Sequence, residues 1–83
     1  MNQHELIQLM ERWQQTEPAI YKVNIKVICD SKGIKPKQIE EGLQVPYNSA
    51  RSYTNASHTA RIEFITALKL AEILGVKVEE FLG

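Results

Sequence analysis

The sequence predicts an all-α fold of five short helices around one small core. Three observations carry this. Apolar residues recur three and four apart along successive segments. Pro, Gly and cap-forming residues divide those segments at short intervals. And 83 residues leave room for one domain, 1–83, whose limited buried surface favours a compact helical bundle. A hydrophobic content of 43% is that of a folded core rather than a disordered chain.

The first helix runs from His4 to Gln15, with Leu6, Ile7, Leu9, Met10 and Trp13 at helical spacing, Asn2 as cap and Glu5 in the first turn. Its stripe of Leu6, Met10 and Trp13 packs across the domain, or else part of it stays exposed as a dimer or partner interface, where Trp and Met are common anchors. Thr16-Glu17-Pro18 breaks this helix and starts the next, because Thr16 or Glu17 can cap and Pro18 suits the first helical position. Ile20, Val23, Val27 and Ile28, with Ile25 close by, give the second helix its expected core face, and Gly33 closes it. Lys22 and Lys26, four apart, read as a solvated face.

Lys35-Pro36 opens the third helix, which carries Ile39 and Leu43 on one stripe; Gly42 is expected to relax its end. Val45 plugs the turn, and Pro46 starts the fourth helix, where Ala50 and Tyr53 face inward. Residues 56–60 read as a small polar loop that continues partly helical. From Ile62, the residues Ile65, Leu68, Leu70, Ala71, Ile73 and Leu74 describe a largely buried fifth helix ending at Gly75. Val76, Val78, Phe81 and Leu82 finish the chain around a short helical turn favoured by Glu79 and Glu80.

The stretch PKQIEEGLQVPYNSARSYTN, 36–55, is the candidate functional element. Its second helix presents Tyr47, Asn48, Arg51, Ser52 and Asn55, hydrogen-bonding groups with one cation and no carboxylate. Such a face suits base edges: Asn pairs bidentately with adenine, Arg with guanine or phosphate, and Ser or Tyr with edges or backbone. Ten basic and ten acidic residues cancel, so the chain lacks the strongly positive total common among nucleic-acid binders. The charge is unevenly distributed, however: residues 1–20 carry a net −2, residues 21–60 a net +3 and residues 61–83 a net −1.

Other chemistries find little support. His4 and His58 lack Cys or acidic partners at ligand spacing, so no metal or cofactor is expected. Ser49, Ser52 and His58 form no credible triad with Asp30, the only Asp, and no Gly-rich phosphate loop occurs, so an enzyme is not expected. The single Cys29 cannot form an internal disulfide, and no apolar run reaches the length of a membrane span or follows a basic start. The expected location is cytoplasmic, with no membrane partner.

From about Ile25 to Leu82 the chain resembles the Cro and lambda-repressor-like (XRE-family) helix-turn-helix domains of bacterial and phage regulators. The landmarks are Lys32-Gly33-Ile34, Ile39 and Leu43 on the supporting helix, Val45 in the turn, Ala50 in the recognition helix, Tyr53-Thr54-Asn55 at its end, and Leu70-Ala71-Glu72-Ile73-Leu74-Gly75-Val76 before Phe81-Leu82. The resemblance implies a lambda-repressor-like domain over 20–83, with residues 1–16 as an additional N-terminal amphipathic helix. It implies base contacts from Tyr47, Asn48 and Ser52, with Arg51 beside them, and phosphate contacts from Lys35, Lys37 and Asn55. Pro36 stands where many members have Gln, Glu40 replaces a small Ala, and the loop from Asn55 to Ile65 is longer than usual.

The reading is therefore a sequence-specific binder of double-stranded DNA that regulates transcription, as a repressor and homodimer. The alternative is a protein-interaction module on the same fold, an antirepressor or inhibitor that binds a regulatory protein partner.

Overall fold

A computed structural model describes residues 2–83. It contains five α-helices: α1 (Gln3–Gln15), α2 (Pro18–Lys32), α3 (Pro36–Leu43), α4 (Tyr47–Tyr53) and α5 (Phe64–Leu74), followed by a 3-10 turn over Val78–Phe81. No strand occurs among the described residues, and none of their helices is long and apolar enough to cross a membrane.

Local chemistry sets the helix ends. The Asn2 side-chain oxygen accepts the Glu5 backbone N–H at 2.8 Å, satisfying one of the free donors at the start of α1. Pro18 occupies the first turn of α2, where its missing N–H costs nothing. Gly33 and Gly75 close α2 and α5 at φ 68° and 70°, the left-handed region that favours glycine. The Gln38 side chain accepts the Lys35 N–H at 2.7 Å, as the N3 residue of a capping box does.

Gly42 plays a different part from the expected one. α3 continues through it to Leu43, and Gln44 takes the left-handed conformation at φ 56°. A Cβ on Gly42 would lie 2.8 Å from Cδ1 of Ile73. Its missing side chain lets α3 approach α5.

The core centres on Trp13, which is 1% exposed. Its ring stacks on Tyr21 at a centroid distance of 4.0 Å and lies 6.4 Å from Phe64 and 6.3 Å from Phe81. Ile25, Ile39, Ala50, Leu70 and Leu74 complete the buried cluster. α1 thus inserts Leu9 and Trp13 into the same core as the other helices, whereas Leu6, Ile7 and Met10 stay exposed.

The expected core face of α2 is rotated. Tyr21, Ile25 and Cys29 point inward, while Ile20, Val23 and Val27 are 49%, 49% and 62% exposed. Apolar residues lie nearly all round this helix, so spacing alone does not determine which face is buried. Tyr21 decides it: besides the Trp13 stack, its hydroxyl accepts the buried Ile62 N–H at 2.9 Å.

The segment after α4 is not helical; residues 55–63 form turns and extended chain. Side chains of the first two helices hold it. The Trp13 indole N–H donates to the Ile62 carbonyl at 2.8 Å, and Lys22 Nζ donates to the His58 carbonyl at 2.7 Å. In return, Arg61 donates to the carbonyls of Trp13 and Gln14 at 2.8 and 3.0 Å, close to the C-terminal end of the α1 dipole. The buried position of Ile62 thus comes from this loop rather than from a helix. α5 begins only at Phe64, and its Ile65, expected in the core, is 56% exposed.

Lys22 is therefore no solvated lysine; its residue exposure is 0%. Burial pushes its ammonium below the ordinary lysine value. Folding thus favours the neutral amine, so the cost of burying the charge is felt in full below the lowered value. That cost fades as pH rises through the lowered value towards about 10.4, where the unfolded chain also loses the proton. Relative to wild type, Lys22→Met is expected to gain most below that lowered value, the difference shrinking as pH rises through it on the alkaline side. Denaturant melts of both proteins across that range check this. Burial also raises the Cys29 thiol, with Asp30 adding to the effect and Lys26 opposing it; the Tyr53 phenol is raised by burial and then by Glu63. Both groups are common to the two proteins, so their contributions cancel in the difference.

Candidate nucleic-acid interface

α3 and α4 pack against each other, and Ile39 on one and Ala50 on the other, both 0% exposed, belong to the same buried cluster. A larger residue than Ala50 would push the two helices apart. The connection Gln44–Pro46 is short because Gln44 is left-handed, and the Val45 N–H donates to the Glu40 carbonyl at 3.3 Å. Val45 is half-buried against the core, as are Leu43 and Tyr53. Pro46 caps α4, and its carbonyl accepts the Ala50 N–H at 3.1 Å.

With Ala50 inward, Tyr47 (44% exposed), Asn48, Arg51 and Asn55 face solvent. No carboxylate lies within α4. Ser52 is half-buried, and its hydroxyl donates to the Ser49 carbonyl at 2.7 Å, so it has only acceptor capacity to offer a ligand. The Asn55 side-chain oxygen accepts the Ser57 N–H at 3.0 Å. Its amide donors remain available.

The residues expected to contact bases border two different depressions. Arg51 and Asn55 line a groove against α2 and α3, together with Val23, Lys26, Val27, Asp30 and Pro36. Asn48 and Ser52 line a second depression with Ser49, Tyr53, His58, Arg61 and Glu63. α4 is thus a ridge between two hollows. The resemblance implied Arg51 beside Asn48 and Ser52, and spacing turned all three outward, but neither could show which neighbours each would face. Arg61 and Lys26 were not among the expected site residues; nothing in their local sequence marks them, and only tertiary packing brings them beside α4.

Lys35 and Lys37, expected at phosphates, are exposed around the start of α3. Lys37 pairs with Glu40 at 3.3 Å, which answers how the acidic residue is accommodated in this helix. Lys26 pairs with Asp30 at 3.3 Å. Both are solvent-accessible i,i+3 or i,i+4 pairs, which contribute little to stability and separate readily when a polyanion competes. Among the described residues, Lys35 and Arg51 form no ion pair, and no three His, Cys, Asp or Glu side chains gather as a metal site. No family model, curated protein or solved structure matches this chain.

Proposed function

We propose that the chain is a lambda-repressor-like helix-turn-helix protein of the cytoplasm that binds duplex DNA sequence-specifically and represses transcription as a homodimer. In this reading residues 20–83 are the binding domain and residues 1–16 an added helix. The observation that carries it is α4: a short helix, packed on α3 with Ala50 buried, whose outward side is polar, cationic at Arg51 and free of carboxylates. α4 enters the major groove, and the exposed Asn48 reads a base edge from the Ser52 flank with Tyr47 beside it. Arg51 meets a guanine or a phosphate from the α2 flank, and Ser52 accepts a hydrogen bond. Lys35, Lys37 and the Asn55 amide contact phosphates, which position the helix without reading sequence. Occupancy of the duplex blocks transcription.

Selection of bound duplexes from a random pool, followed by a salt titration of the best sequence, tests this. The expected result is an enriched, roughly palindromic motif whose affinity falls steeply with salt, because phosphate contacts release counterions. Failure to enrich any sequence would remove the DNA reading and leave the protein-interaction module, to be pursued by its bound partner.

A further inference from the structure

α1 buries Leu9 and Trp13 but leaves Leu6, Ile7 and Met10 at 39%, 42% and 37% exposure. At 100° per residue these three lie on one flank of the helix, continued at its two ends by the exposed Gln3 and Gln14. Leu6 sits at the border of this flank with the buried Leu9 and Trp13, and along the flank's middle the order is Gln3, Ile7, Met10, Gln14, with spacings of four, three and four. Read backwards, it presents the same spacings and the same polarities. A second copy of α1 laid antiparallel would set Ile7 against Met10 and Met10 against Ile7. Each Gln3 amide would meet the opposite Gln14 amide. Along the outer rim His4 would face Glu11 of the other copy, twice.

We propose that this flank of α1 is the dimer interface, an isologous antiparallel pair of α1 helices from two copies of the chain. A two-fold contact requires a surface that complements itself, and this flank does so in apolar contact, in amide hydrogen bonding and in charge. The exposed apolar stripe on α2 does not. Its stripe runs Ile20, Val23, Val27, Asp30, so an antiparallel pairing of Val23 with Val27 would press each Asp30 carboxylate against an Ile20. α1 packs on α5, whereas α4 packs on α3 and α2, so the two surfaces belong to helices with different neighbours. A contact between two helices of 13 residues falls at or below the lower end of the about 1,200–2,000 Å² that specific interfaces bury. The dimer is accordingly weak and reversible.

The interface names the partner for the dimer proposed above, but its test needs no DNA, so its failure and the failure of DNA reading are separable. Sedimentation equilibrium of the whole chain over a wide concentration series is expected to show a reversible monomer–dimer equilibrium. The double variant Ile7→Lys, Met10→Lys is expected to stay monomeric throughout with unchanged helical content, because both sites are exposed in the monomer, while Val27→Lys still dimerises. Separately, chains carrying Ile7→Cys and chains carrying Met10→Cys are mixed under mild oxidation; the expected product is the mixed disulfide between positions 7 and 10. A chain that is monomeric at every concentration overturns the proposal. So does a dimer that survives the double Lys variant, or cross-linking that joins like positions in preference to unlike ones.

Discussion

Trp13→Ala is expected to destabilise the chain by about 3–5 kcal/mol, the range for truncating a buried tryptophan. The residue is 1% exposed, stacks on Tyr21 and donates to the Ile62 carbonyl at 2.8 Å. Alanine leaves a cavity between α1, α2 and α5 and removes the donor that holds the segment before α5. Small domains have about 5–15 kcal/mol in total, and each kcal/mol corresponds to about 4–8 °C of melting temperature at this size, so the loss is a large part of the fold's margin. Trp13→Phe keeps an aromatic ring on Tyr21 but loses the N–H and part of the buried volume, so its cost is expected to be smaller and combines the hydrogen bond to Ile62 with a partial cavity. Thermal melts with sedimentation on the same samples decide the matter. A variant that melted like the parent but no longer dimerised would mean that Trp13 belongs to an interface instead of the core.

The second large effect concerns the ridge of α4. Asn48→Ala is expected to weaken binding to the selected operator by about 1–3 kcal/mol, roughly 5- to 150-fold, and to relax the preference at one base position, because a bidentate amide contact discriminates by about that much. Arg51→Ala has two separable outcomes. If its guanidinium meets a phosphate from the α2 flank, affinity drops on all sequences and the salt slope falls by about 1. If it reads guanine, one position of the motif is lost. Both residues are exposed, so stability is expected to stay within about 0.5 kcal/mol of the parent. Competition titrations on operator and scrambled duplexes, with melts as controls, measure these quantities. Binding by both variants indistinguishable from the parent would remove α4 as the reading element.

How much of the candidate site was legible follows from the same residues. That α4 would turn Asn48 and Arg51 outward around Ala50 was readable, because three- and four-residue spacing within one helix is a local property. That Ser52 would donate its hydroxyl proton to its own helix, or that Arg51 and Asn48 would line different hollows, was not, since each depends on what packs alongside. The charge pattern was equally partial. Lys22 and Lys26 look alike in sequence, yet one is buried against the His58 carbonyl and the other lies exposed in a pair with Asp30.

By itself the sequence determined the number of helices and those of their ends that a local signal marks. Asn2, Pro18, Gly33, Pro36 and Gly75 act on the backbone within one turn of where they stand, so their effect does not depend on the rest of the fold. On α1 and α2 only the tertiary structure decided which apolar face is buried. The contacts that orient α1 and α2 join Trp13 to Ile62, 49 positions away, and Tyr21 to the same residue, 41 away. It also decided that Gly42 would serve an approach to Ile73 and not a helix end. On helices that carry apolar residues nearly all round, periodicity leaves several faces almost equivalent, and packing one tryptophan with its N–H satisfied selects among them.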